Sequence, residues 1–490
     1  MSQEKLPQEI DLEKSIIARP DSSTAEGAVP GDSFEYGNST YAKLQRLAGR
    51  FHVEQRGIER VPEDERDDTA LLNVGTMWLS ANMVISSFAI GVLAQSLFHL
   101  GFVDAILTCL FFNLIGIISV CFFSTFGPRF GLRQMVLSRF RFGWYGVKLI
   151  AVFNVPARIG WSSVNSIVGA QLIHAVNSDV PGFAGILIIS IRTLFITIFG
   201  YKIVHAYEFY SWIPTFIVFL IILGTFAHSG AFVNIPMGVG KSELGSVLSF
   251  GSVVYGFATG WTSYAADYTV YQPRHQSRGK VYLAVWLGLT IPLLFTEFLG
   301  IAIMTATTIA DGKNKYMEGY EAAGSGGLLA AVLFEPLGGF GKFCLVVLAL
   351  SIIANNCPNI YSVALTVQVF GKWTQQLPMD RACDGGYWLA IYEGIAFSDH
   401  FIYKRSMSAY NVVDYDQPSK LPPSIAAVFA FCYSVAGMVT GMSQTWFVGP
   451  IALAAGEAPF GGDVGFELGF VFAFVSYTVA RHFELRYFGR

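Results

Sequence analysis

Trp161 and Asn165 stand four residues apart in NVPARIGWSSVN (residues 154–165), a polar stretch inside a long apolar run. Four residues is close to one helical turn, so both side chains share a face. An indole offers a flat ring about 1–3 kcal/mol of stacking, and a carboxamide offers its edge an acceptor and a donor pair. Similar types recur in other apolar runs: Ser87 in VISSFAIG, Trp261 in GFATGWTSYAADY and Asn356 in SIIANNCPNIYS. Each type has a commoner use. Mid-span indoles fill cores, membrane amides join helices for about 0.6 kcal/mol each, and serines bond back to their own carbonyls. By residue type alone, those uses prevail.

Buried charges form a second group. Arg158, Arg192, Asp267 and Glu297 lie within apolar runs, with Lys202 and Glu208 near the end of one. An ionisable side chain at membrane depth is a functional candidate by default. A carboxylate that trades its proton as its surroundings change suits ion coupling. Glu208 and Glu297 are candidates for that role. Asp267 is a third, although an ion pair with Arg158 is its simpler use.

The elements that must hold these residues are membrane helices. Of the 490 residues, 53% are hydrophobic and 14% charged, against about 25% charged in soluble domains; the mean hydropathy is +0.48. The net charge of −3 and the lack of a basic stripe argue against nucleic acid. Six scattered cysteines read as small buried hydrophobes, not as a metal site or disulfide framework. No phosphate loop, zinc-protease motif or nucleophile elbow appears, so neither an enzyme nor an organic cofactor is expected. Residues 1–70 are charged and Ser/Gly-rich and read as a largely disordered cytosolic tail, open to trafficking or ubiquitin machinery.

Roughly 20 apolar residues cross a bilayer as a helix. Candidate spans lie near 73–98, 102–126, 146–176, 180–200, 208–229, 247–271, 281–308, 340–370, 421–453 and 464–485. The basic loops GPRFGLRQMVLSRFRFGWYGVK and QPRHQSRGK belong in the cytosol, which places the N-terminus there too. The same rule puts Lys372, Lys404, Arg405 and Lys420 on the cytosolic side. An even number of crossings must then separate Lys372 from Lys404. Only residues 385–401, GYWLAIYEGIAFSDHF with its preceding glycine, offer a short span there.

Together, GTMWLSANMVISSFAIG, GWSSVNSIVGAQ, AADYTVYQPRH, LALSIIANNCPNIYS, GYWLAIYEGIA and PSKLPP…GMSQTWFVGPI closely resemble the fungal purine–cytosine permeases of the nucleobase–cation symporter-1 family. The resemblance covers about residues 40–490. It implies an all-α polytopic membrane protein with an inverted five-helix-repeat transporter fold, LeuT-like. The first repeat would fill about 71–229 and the second about 245–403, with two additional helices in 421–485. The implied activity is proton symport of cytosine, adenine, guanine and hypoxanthine into the cell across the plasma membrane. Broken helices one and six would meet helices three and eight around the base. On that pattern Trp161 and Trp261 become substrate indoles that sandwich it, Asn165 and Asn356 read its edge, and Ser87 joins them. Asn355 is expected to face away. Gly91, Gly256 and Gly260 lie where helices one and six would unwind, or they serve close packing.

The chain departs from the family pattern between Val369 and Tyr387. A ninth helix and the start of the tenth, on the order of 40 residues, would stand where FGKWTQQLPMDRACDGG remains. About 10–11 membrane helices are expected in place of twelve. Two other readings stay open: a carrier of another flat heterocycle, such as a nucleoside or pyridine vitamin, and a non-transporting or truncated form.

Overall fold

Runs rich in Leu, Ile, Val and Phe satisfy their backbone internally as helices, and the chain is built from them. The computed structural model describes residues 57–198, 201–370 and 386–490. In order come α1 (Leu71–Asn82), α2 (Ile85–Ser96), α3 (Phe102–Ser124), α4 (Arg139–Val176), α5 (Gly182–Ile198), α6 (Tyr201–Ser229) and α7 (Gly240–Thr259). A 3-10 stretch, Gly260–Tyr268, continues α7. Then follow α8 (Arg278–Met304), α9 (Lys315–Val367), α10 (Trp388–Ser398), α11 (Ile425–Gly441) and α12 (Gly465–Phe488).

Four described helices are long and apolar enough to cross a membrane on composition alone, and the bent pair α1–α2 makes a fifth. Outward faces fit lipid: Leu107, Phe111, Ile115 and Ile118 on α3, and Val471, Val475, Val479 and Phe483 on α12, are all exposed. Spacings of three and four keep each set on one stripe.

Hydrogen bonds define two ends of the bundle. At a basic end, Arg66 donates to the carbonyls of Val61 and Pro128, Arg133 donates to Asp267 O, and Arg139 pairs with Asp416. Arg66 is 3% exposed. The expected tail of 1–70 is therefore corrected at its C-terminal side: residues 57–70 are docked on the basic end. The rest of that tail, residues 1–56, lies outside the described residues. At the opposite end, Tyr387 donates to Asp463, and a hairpin pairing Ser443–Gln444 with Phe447–Val448 follows α11. That hairpin shortens the expected 421–453 span, which stops at Gly441.

The short stretch after residue 385 makes a real traverse. It begins at Tyr387 beside Asp463 and ends as a π-helical turn, Asp399–Lys404, with Asp399 near Arg481. Helix α9 ends at the basic end, where Tyr361 lies under the Arg133 guanidinium. The expected gap at 371–385 falls outside the described residues, but its flanks sit at opposite ends. Fifteen residues separate them. As a helix they would rise about 24 Å, short of the roughly 30 Å hydrocarbon core.

Candidate functional site

Two helix breaks create the site. Between α1 and α2, Met83 and Val84 leave helical geometry. Backbone freed at membrane depth needs partners, and α9 supplies them: Asn355 Nδ2 donates to Ala81 O at 2.7 Å, and Ile85 N donates to Ser351 Oγ at 3.2 Å. Ser87 Oγ donates to Asn82 O at 2.7 Å. At the second break, Arg158 Nη1 donates to Gly260 O at 2.7 Å, and its guanidinium lies 5.3 Å from the Tyr264 ring.

A cavity of about 210 Å³ lies beside these breaks, lined by Ser86, Trp161, Asn165, Gln171, Phe257 and Tyr320 among others. A cavity of about 150 Å³ can hold benzene, so this is the scale of one small ring system. A larger recess of about 640 Å³ leads toward the opposite end past Phe98, Tyr387, Gln444 and Phe466. Trp161 and Val164 line both spaces and so stand between them.

Asn165 is buried. Its Nδ2 donates to Asn355 Oδ1 at 2.6 Å and Asn356 Oδ1 at 3.0 Å, while its Oδ1 finds no protein partner. Asn356 Nδ2 donates to Ser166 Oγ at 3.1 Å. Asn355, expected to face away, is a member of this amide cluster. It ties Asn165 to the first break.

The expected sandwich of two indoles is not formed in this conformation. Trp161 meets Phe257 edge to face at 5.5 Å. Trp261 is 4% exposed and packs against Trp78 at 5.5 Å and Tyr264 at 5.7 Å. Its Nε1 donates to Asn82 Oδ1 at 3.1 Å, so it supports the first break and does not line the cavity. Ser87 likewise serves the break; its neighbour Ser86 lines the cavity with an unpartnered hydroxyl. The first break falls at Met83–Val84, ahead of Gly91 where unwinding is expected, so spacing along an unbroken helix does not single out Ser86. Phe257 sits one turn before Trp261 on α7, a spacing that is visible only once the helix end is known.

The glycines divide. A Cβ on Gly91 would sit 2.0 Å from Glu297 O, and one on Gly256 would meet the Phe466 ring at 2.9 Å, so both serve packing. Gly260 keeps helical geometry and marks where α7 gives way to 3-10 winding; the residue that leaves helical geometry is Tyr264.

The three candidate carboxylates also differ. Glu297 Oε2 on α8 accepts from Asn113 Nδ2 at 2.6 Å and Cys109 Sγ at 2.9 Å, both on α3. Asp267 Oδ1 accepts Gln134 N at 2.7 Å, at the start of the short helix Gln134–Leu137. The expected Asp267–Arg158 pair is absent from the described contacts. Arg158 bonds instead to Gly260 O, which six residues and a kink at Tyr264 separate from Asp267. Glu208 on α6 is fully buried. It faces Ser80, whose hydroxyl is bonded to Ser211, and neither Glu208 oxygen completes a hydrogen bond.

A family model for permeases of cytosine/purines, uracil, thiamine and allantoin matches residues 60–373. The chain belongs to this family. The purine-cytosine permease fcyB of Emericella nidulans is 61% identical over 511 residues, covering 98% of this chain and 99% of that one. The purine-cytosine permease FCY21 of Saccharomyces cerevisiae is 43% identical over 477 residues, covering 91% and 89%. Among solved structures, Mhp1, a nucleobase-cation-symport-1 family transporter in a closed conformation with bromovinylhydantoin bound, matches with TM-score 0.57. The identity there is 14%, over 89% of this permease and 96% of that chain, so the likeness speaks for the fold alone. The permease has the LeuT-like helical transporter architecture and is not an enzyme. The match to the Emericella protein runs longer than the 490 residues present here, so that relative holds residues without counterpart. The family match itself covers residues 60–373.

Proposed function

We propose that this permease is a plasma-membrane proton symporter that imports cytosine and purine bases: adenine, guanine and hypoxanthine. One observation carries the reading. Trp161 and Asn165 line a cavity of ring-system size from one α4 face, and the Asn165 Oδ1 is buried beside it without a protein partner. A base stacked on Trp161 would offer its exocyclic amine or ring N–H to that oxygen. The names of the curated relatives agree with this ligand class. Asn356 holds the Asn165 amide in orientation, and Trp261 and Ser87 support the breaks that border the site. No cofactor is required; the coupling ion is the proton, and Glu208, with neither oxygen engaged, is its proposed site. Glu297 and Asp267 rank below it because Glu297 Oε2 and Asp267 Oδ1 each tie neighbouring elements together. Facing the basic end to the cytosol puts the N-terminus inside.

Uptake of labelled cytosine or hypoxanthine into cells stripped of their own permeases tests the reading. The expected result is saturable accumulation that a proton uncoupler collapses. Dependence on external sodium instead would contradict proton coupling. The short connection between α9, which ends at Val367, and α10, which starts at Trp388, favours a second reading, a chain that binds bases without carrying them. Binding with no accumulation is its signature. Selective uptake of uracil or thiamine would point to another ligand of the family.

A further inference from the structure

One buried carboxylate is used by neither the cavity nor the coupling site described above. Glu393 on α10 is 1% exposed. Its Oε2 accepts the Tyr255 hydroxyl at 2.8 Å, and its Oε1 accepts the hydroxyls of Thr262 at 3.1 Å and Thr259. Ser119 of α3 also faces it. Among the described residues, no Lys, Arg or His pairs with it. Tyr255 is the titratable group turned toward it from α7, and Glu467 of α12 acts on Tyr255 in turn.

Hydroxyls that all donate suit an ionised carboxylate, which has only acceptors to offer. A proton on Glu393 would turn one oxygen into a donor and leave a hydroxyl without its acceptor. Tyr255 and Thr259 lie in the last turns of α7, and Thr262 lies just past Gly260. Glu393 therefore staples both sides of the second break to α10. Phe257, the ring that meets Trp161, lies between two of the stapled residues. A glutamate from outside thus lies beside each broken helix: Glu208 opposite Ser80 of α1, without a completed bond, and Glu393 bonded to α7.

We propose that Glu393 is a proton-linked positioning residue: ionised, it pins the α7 break to α10, and protonated, it frees the break so that Phe257 closes on a ring stacked against Trp161. The proposal rests on the base-permease reading above. Proton and base then favour the same state, and each must tighten binding of the other. Base affinity rises as pH falls.

Binding of tritiated hypoxanthine to the full chain in membranes, measured from mildly acidic to mildly alkaline pH, tests this. Wild type should lose at least about fivefold in affinity as pH rises. Glu393→Gln, a neutral mimic, should bind tightly at alkaline pH and shrink that change severalfold. Its pH-driven accumulation should fall while exchange of labelled for unlabelled base persists. Glu393→Asp keeps a titrating group and should keep the pH dependence. Tyr255→Phe removes a donor to the charged form and should move the midpoint to higher pH. A Glu393→Gln variant with the wild-type pH profile, or a Tyr255→Phe midpoint that stays put, overturns the proposal. A wild type that binds no base defeats the permease reading instead.

Discussion

Asn165 spends its amide nitrogen on two neighbours and keeps its oxygen free, an uneven arrangement for a residue that merely joins helices. An unpaired acceptor in a buried site costs about 1–3 kcal/mol, which a ligand donor would recover. Adjacent serines sharpen the same point. Ser87 Oγ satisfies Asn82 O at the first break, whereas Ser86 lines the cavity and its Oγ is buried without a partner. Ser87→Ala should lower the melting temperature of the purified protein, and Ser86→Ala should leave it unchanged while weakening base binding. The reverse pattern would move the site. The α4 face was legible in sequence because an uninterrupted helix preserves spacing. Ser86 and Phe257 were not, since counting fails where a helix breaks or changes winding. Glu393 was hidden for another reason: its partners lie more than 130 residues earlier in the chain.

The breaks are stabilised by other helices, and this sets what each element tolerates. SANMVISS holds no proline or glycine to announce the first break; it exists because Asn355 and Ser351 of α9 take over the freed backbone groups. Local propensity could not show that. Close helix contact is readable from glycine. Gly91→Ala would drive a methyl into Glu297 O, 2.0 Å from the ideal Cβ position, and overpacking of this kind costs about 1–3 kcal/mol. Gly224→Ala on α6 meets nothing within 4 Å. Thermal melts in detergent should show a clear loss for the first and none for the second. Equal melting temperatures would mean that α2 and α8 are not in contact.

At the scale of the molecule, apolar runs reveal most of the helices, and the charge rule points to the stretch around 371–385 as the place where the crossings do not add up. Basic residues on both sides of 371–385 demanded a pair of crossings, and the structure places the flanks of that joint at opposite ends. The last span, expected over 464–485, is a full helix, Gly465–Phe488, tied to α11 where Glu484 accepts from Ala426 N and pairs with Arg481. Grafting the Emericella residues that lack a counterpart here into the joint should raise both melting temperature and uptake rate. If neither moves, the short joint is no handicap to the fold.

The central claim is that α4 presents an indole and an amide to a flat base, and equilibrium binding of labelled cytosine to Trp161→Ala and Trp161→Phe membranes tests it most directly. Loss of about 1–3 kcal/mol of stacking should weaken the alanine variant by roughly five- to 150-fold and spare much of the affinity in the phenylalanine variant. Wild-type affinity in Trp161→Ala would contradict the account.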